Sequence, residues 1–254
     1  MIGIYFSGTG NSKYALNTFL KEYDNNSKAY SIVDEELLKE INNHKEIVIS
    51  YPVQYSTVPK ILRDFIINNS NIWQNKKVFI IATMGLFSGD GAGVLGRLLK
   101  QYGAIITGGL HLKMPDSIAD EKVLKRPKEK NTELIRNAEL KIKNAVVSIK
   151  NGKPPRNGLS FLSRIIGFFG QRLWFGFKTK NYNKNIKIDK DKCIGCSLCA
   201  NICPTNNIQI VNKKAISKDK CAMCYGCVNR CPKKAITLLG KSIIEQTTIE
   251  KYLD

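Results

Sequence analysis

The chain has 254 residues, 40 Lys and Arg against 21 Asp and Glu, and a formal charge of +19. That length accommodates one ordinary domain plus a small one. No run of apolar residues is long enough for a membrane-spanning helix. Met1-Ile2-Gly3-Ile4-Tyr5-Phe6 has neither a basic leader nor a cleavage site, so no signal peptide is expected and the cytoplasm is the expected compartment.

In residues 1–150, apolar runs alternate with amphipathic ones. Strands are expected at Ile2–Phe6, Lys28–Ile32, Ile47–Tyr51, Val78–Thr83 and Ala104–Leu112, and helices at 12–23, 58–69, 90–102 and 126–150. Such alternation predicts an α/β domain, a doubly wound five-stranded parallel sheet with helices on both faces. Ligands of such sheets gather at the carboxyl ends of the strands. The first loop there is Ser7-Gly8-Thr9-Gly10-Asn11-Ser12. Its glycines let the backbone close on an oxyanion, its hydroxyls donate, and the following helix adds its dipole. A plain capped turn would read the same way. No Walker lysine is present, which disfavours a nucleoside triphosphate. His44 and His111 stand alone near strands and are expected at strand ends or the surface, and Trp73 in packing.

Residues 151–182 contain no acid and open with Gly152-Lys153-Pro154-Pro155, a domain boundary. Leu162, Ile165, Ile166, Phe169 and Leu173 then line one helical face, with Arg164, Gln171 and Arg172 opposite and Phe168, Trp174 and Phe175 interrupting the polar side. Two readings stand: a helix that bridges and packs into both domains, or a basic amphipathic helix making peripheral contact with anionic lipid. The formal charge divides as +6 for 1–150, +6 for 151–182 and +7 for 183–254. It favours an acidic redox partner, an anionic substrate or an anionic membrane surface; a Lys-, Asn- and Ile-heavy composition would give the same charge. Nucleic acid is not expected, because no aromatic-basic recognition motif occurs.

All eight cysteines fall in residues 183–254, in two runs. Cys193-x-x-Cys196-x-x-Cys199-x-x-x-Cys203-Pro204 is followed by Cys221-x-x-Cys224-x-x-Cys227-x-x-x-Cys231-Pro232. This is the run of bacterial ferredoxins that carry two [4Fe-4S] clusters, in which the fourth cysteine of each run ligates the other cluster. On that reading Cys193, Cys196, Cys199 and Cys231 hold one cluster, and Cys203, Cys221, Cys224 and Cys227 hold the second. Lys190-Asp191-Lys192-Cys193 recurs as Lys218-Asp219-Lys220-Cys221 at an offset of 28, as a pseudo-twofold α+β unit requires. Ile194, Ile202, Ile208, Ile210, Ile216, Ile236 and Leu238 are expected to shield the clusters. A C-x-x-C-x-x-C triplet crowds a tetrahedral zinc site, and disulfides would need an oxidising compartment.

The segment Tyr5–Ser12 resembles the phosphate loop of flavodoxins. Tyr51-Pro52-Val53-Gln54-Tyr55-Ser56-Thr57-Val58-Pro59 resembles their next flavin loop, and Thr83-Met84-Gly85-Leu86-Phe87-Ser88-Gly89-Asp90-Gly91 falls where the last belongs. With the cysteine runs, the whole chain resembles flavodoxin–ferredoxin fusion proteins. The resemblance implies a flavodoxin-like FMN-binding domain (1–150), a basic linker (151–182) and a dicluster ferredoxin domain (183–254). It implies FMN phosphate held by Ser7, Thr9, Gly10, Asn11 and Ser12, and the flavin ring flanked by Pro52, Val53, Gln54 and Tyr55 and by Thr83, Met84 and Gly85. Tyr55 is then a candidate to stack on the ring, or else a rim residue. The third loop lacks the usual stacking tyrosine and acidic cluster, so a higher potential for full reduction is expected than in acidic flavodoxins. The expected function is an electron relay between two [4Fe-4S] clusters and FMN, and on to a redox partner. The alternatives are an FMN-dependent reductase of a small acceptor such as a quinone, and a redox sensor or assembly partner.

Overall fold

A computed structural model describes residues 1–122, 125–169 and 184–253. Strands β1 (Ile2–Tyr5), β2 (Lys28–Ser31), β3 (Glu46–Pro52), β4 (Lys77–Met84) and β5 (Ile105–Lys113) form one sheet in the order β2-β1-β3-β4-β5. Every pairing is parallel. This is the flavodoxin-like doubly wound order, with its topological switch between β1 and β3.

Side chains alternate across a strand, so each strand feeds two cores. Ile47, Ile49, Val78 and Ile80 pack on one face; Val48, Phe79 and Ile81 pack on the other. Helices α2 (Leu37–Asn43), α3 (Lys60–Asn68) and α4 (Gly91–Gln101) cover the first face through Ile41, Ile66 and Leu95. Helices α1 (Asn11–Tyr23) and α5 (Lys128–Lys150) cover the second through Leu16, Phe19 and Ile142. Pro59 and Pro127 precede α3 and α5 with extended ψ angles of 137° and 156°, so both helices start two residues later than their apolar patterns suggest. Trp73 is fully buried in the first core, edge-on to Phe65.

Beyond α5, Gly109 N–H donates to Pro155 O and Asn157 N–H to Gly109 O, both at 2.8 Å. Residues 155–157 thus cover the open edge of β5. Helix α6 (Phe161–Gly167) follows, capped by Ser160, whose Oγ accepts from Ser163 N–H at 3.1 Å. Of its expected apolar face, Leu162, Ile165, Ile166 and Phe169 are all exposed. Leu173, with Gln171, Arg172, Trp174 and Phe175, lies outside the described residues.

The cysteine-bearing segment folds with pseudo-twofold symmetry. β6 (Lys187–Ile188) pairs antiparallel with β9 (Ile236–Thr237), and β7 (Ile208–Val211) with β8 (Lys214–Ser217). α7 (Leu198–Asn201) and α8 (Gly226–Arg230) begin 28 residues apart. Left-handed residues repeat at the same offset: Gly195 and Met223, Ser197 and Tyr225, Asn206 and Lys234. Gly195 has a further reason to be glycine, since a Cβ there would lie 2.3 Å from Lys213 O. The last turn of the chain returns to the sheet, burying Ile249 and Tyr252 among α1 and α5 side chains. No helix among the described residues is long and apolar enough to cross a membrane.

Candidate redox site

The eight cysteines ring two small cavities. Cys193, Cys196 and Cys199 line the first together with Cys231 from the second run. Cys221, Cys224 and Cys227 line the second together with Cys203 from the first run. The fold therefore exchanges the fourth cysteine between halves. Backbone amides donate to four of the sulfurs: Ala215 N–H to Cys193, Asn207 to Cys203, Met223 to Cys221 and Ala235 to Cys231, each at 3.3 Å. Burial pushes the Cys224 thiol up to about 12 and raises Cys199, Cys221 and Cys227. Thiolates there need a cationic group to offset the lost hydration. Among the described residues, no three His, Cys, Asp or Glu converge on a single-ion site. Ile208, Ile236 and Leu238 are buried beside the cavities, but Ile194, expected as a shield, is 56% exposed, and Cys196 is exposed. The first cavity lies near solvent, where the four-residue α7 carries two of its lining residues, Leu198 and Cys199.

A larger cleft of about 670 Å³ lies between the carboxyl edge of the sheet and the second cysteine cavity. Ser7, Thr9, Asn11 and Ser12, Pro52 to Tyr55, and Thr83 to Gly85 line it. Gly10 lies just behind, supplying the left-handed turn (φ 95°) that starts α1. Gly8 also lines the cleft and serves a further contact: a Cβ there would lie 1.8 Å from Cys224 O. Two of the loop's three hydroxyls, those of Thr9 and Ser12, also have partners already. Thr9 Oγ1 meets Ser117 Oγ and Ser12 Oγ meets Thr83 Oγ1, both at 2.7 Å, tying the first loop to the loop after β5 and the start of α1 to the end of β4. Asn11 donates through Nδ2 to Pro115 O at 2.7 Å, while its buried Oδ1 has no partner. α1 has no side-chain cap, and its first two residues, Asn11 and Ser12, line the cleft.

The second loop turns sharply at Tyr55 and Ser56, both left-handed (φ 49° and 55°), between a mutual hydrogen-bonded pair, Gln54 and Thr57. Non-glycine residues in such a turn are strained and mark places the surroundings hold firmly. The hold comes from the cysteine unit: Gln54 Nε2 donates to Ala222 O and Met223 O at 3.2 and 3.1 Å. Tyr55 lines the cleft and also packs on the core of that unit.

Around the loop after β5, the sequence marks Lys113 and Asp116 as residues that could lie near the third flavin loop. Met114 to Ile118 line the cleft, and Arg126 donates to Gly85 O at 3.2 Å. Asp116 lies in the wall, its carboxyl raised by burial, which the nearby Lys125 opposes. Lys113, at the end of β5, is exposed and pairs in register with Met84. Asp120 is the main latch between the two halves. Its buried carboxylate accepts from Leu238 N–H (2.6 Å), Leu239 N–H (2.9 Å) and Tyr225 O–H (2.9 Å). Asp120→Ala strands all three donors, and we expect it to cost roughly 2–4 kcal/mol in thermal or denaturant unfolding. A loss under about 1 kcal/mol would mean that the latch carries little.

His111 is half-buried behind the third loop. Its Nε2 accepts from Ala92 N–H at 3.3 Å, leaving Nδ1–H to donate to Ser88 Oγ at 3.0 Å. Burial lowers its pKa to about 4, against a weaker opposing pull from Asp90. The folded value lies below the unfolded one of about 6.5. The stability it contributes is therefore present above about pH 6.5 and is lost as the pH falls towards about 4. The ring-proton NMR signals of His111 should stay fixed between about pH 7.5 and 5.5; a midpoint above 6 contradicts this.

Residues 185–242 match a family model described as the 4Fe-4S dicluster domain. No curated protein matches the chain. Similar solved structures include a flavodoxin from the domain Archaea (14% identity, TM-score 0.42, covering 59% of this chain and 97% of that one). Others are two-electron reduced Megasphaera elsdenii flavodoxin (19%, TM-score 0.41, 56% and 99%) and oxidised flavodoxin 2 from Bacillus cereus (17%, TM-score 0.44, 59% and 97%). The chain thus joins a sheet of flavodoxin-like topology to a C-terminal 4Fe-4S dicluster segment.

Proposed function

We propose that this protein is an electron carrier that relays electrons between two [4Fe-4S] clusters and one FMN, and on to an acidic redox protein. One observation carries the reading: Cys224 lines both the second cysteine cavity and the large cleft. Clusters exchange single electrons, whereas FMN exchanges one or two, so together they convert between the two modes.

The two cysteine quartets are the ligand sets, one per cavity, and the amide-to-sulfur bonds stabilise the more reduced, more negative state. Ser7, Thr9, Gly10, Asn11 and Ser12 hold the FMN phosphate end, where the uncapped amides of α1 favour an anion. The unpaired Asn11 Oδ1 suits a sugar-chain hydroxyl. Pro52 to Tyr55 and Thr83 to Gly85 flank the ring. In this reading residues 1–150 hold flavin, 151–182 join the units and 183–254 hold the clusters. Thiols kept for iron fit a reducing compartment such as the cytoplasm.

The outer cavity is the port for the partner. Exposed Ile194 and Leu198 surround Cys196, and exposed Lys213 and Lys233 stand nearby, while Lys214 donates to Cys193 O at 2.8 Å. An apolar centre rimmed by lysines suits an acidic surface.

Rapid mixing of the oxidised holoprotein with a limiting one-electron reductant tests the relay. Bleaching at the iron–sulfur bands should be followed by flavin reduction at a rate independent of reductant concentration. Two reductant-dependent phases, each proceeding alone, would argue for a sensor instead. Asp116 in the cleft wall favours a second reading, a reductase of a small acceptor, because it is the positioned acid such chemistry needs. Steady turnover of a soluble quinone by the same sample would support that reading.

A further inference from the structure

The sequence left the basic joining segment between two readings, and the described part of it does not bridge. In nine residues, Phe161, Leu162, Ile165, Ile166, Phe168 and Phe169 are exposed, Phe161 by 74%, Leu162 by 65% and Phe169 by 61%. The buried residue of α6 is Gly167, which sits on the third loop: a Cβ on Gly167 would lie 2.3 Å from Asp90 Oδ1, and one on Gly89 would lie 2.4 Å from Gly167 Cα. That contact brings the ridge beside Leu86 and Phe87, which line the cleft and are themselves 55% and 45% exposed. Ridge and cleft mouth are thus joined through the third loop.

Contiguous bulky apolar side chains on a surface need a cover. Charge selects which. Residues 151–182 carry six Lys and Arg and no acid, and the whole chain is +19. A second copy would bring the same positive segment against its twin, which repulsion opposes. The ridge is helical, with exposed aromatic and aliphatic side chains in a segment whose charged residues are all basic, the make-up of a segment that lies in a lipid interface. We propose that α6 and Phe168–Phe169 seat the protein on an anionic bilayer, with the mouth of the cleft facing the lipid. The proposal does not depend on what fills the cleft.

The test is flotation of the anaerobic, full-length holoprotein with vesicles of phosphatidylcholine alone and with one part in three phosphatidylglycerol. Binding is expected to the anionic vesicles only, weakening with added salt. The double variant F161S/L162S removes two side chains that the fold does not use, so unfolding temperature and iron content should be unchanged. Its vesicle affinity should fall at least about tenfold. Flotation with neither vesicle overturns the proposal, as does unchanged flotation of the variant. A dimer of the parent that F161S/L162S dissolves also overturns it, in favour of self-association. Iron and flavin, assayed in the same samples, report separately on the redox reading.

Discussion

Two double variants should give opposite iron contents. C199A/C231A should retain about four of about eight irons per chain, whereas C199A/C203A should retain almost none. The reason is the exchange of the fourth cysteine between halves. Cys199 and Cys231 line the same cavity although they belong to different runs, so removing both disables one site. Cys199 and Cys203 belong to one run but line different cavities, so that pair disables both. Runs that each closed their own cluster would give the reverse result. The C199A/C231A protein should also keep its flavin, because the cleft abuts only the second cavity. Each variant loses metal that helps hold a small unit folded, so lowered stability is expected in both and does not decide between them.

Gly8→Ala should separate the flavin from the chain without emptying the cysteine sites. A Cβ on Gly8 would stand 1.8 Å from Cys224 O and 2.8 Å from Cys224 Cβ. The obstacle is backbone, which cannot swing aside as a side-chain tip can. The cysteine unit must therefore lift off the first loop, stretching the Arg230 Nη1 bond to Gly8 O (2.6 Å) and the Gln54 bonds to residues 222 and 223. Overpacking of this kind costs roughly 1–3 kcal/mol. The expected readouts are flavin lost on desalting, near-full iron, and slowed flavin reduction in rapid mixing. A variant that keeps flavin and transfer rate would show that the close approach of Gly8 to Cys224 has no functional role.

Much of this architecture was legible because its signals are local. Apart from β2 (Lys28–Ser31), the strands of the sheet are mostly apolar runs, and all five fall within a residue or two of where they are expected. The 28-residue repeat announced the pseudo-twofold unit, down to paired left-handed residues. Helix α2 was not legible: Leu37–Asn43 makes barely two turns, too few for a period to register. The contacts that join the halves were invisible for another reason. Asp120 reaches residues 225, 238 and 239, and Arg230 reaches Gly8, across more than 100 positions with no local pattern to mark them. The second role of Gly8 was invisible on the same ground: besides lining the cleft, its missing side chain makes room for Cys224, far away in sequence. The loop after β5 was legible in part: Lys113 and Asp116 stood out in the sequence because the loop leaves the carboxyl edge of the sheet, where ligands gather.

Iron and flavin counted together in protein purified without oxygen bear most directly on the relay. The account predicts about eight irons and about one FMN per chain. Zinc in the cysteine cavities, or a chain with full iron that holds no flavin, would contradict it.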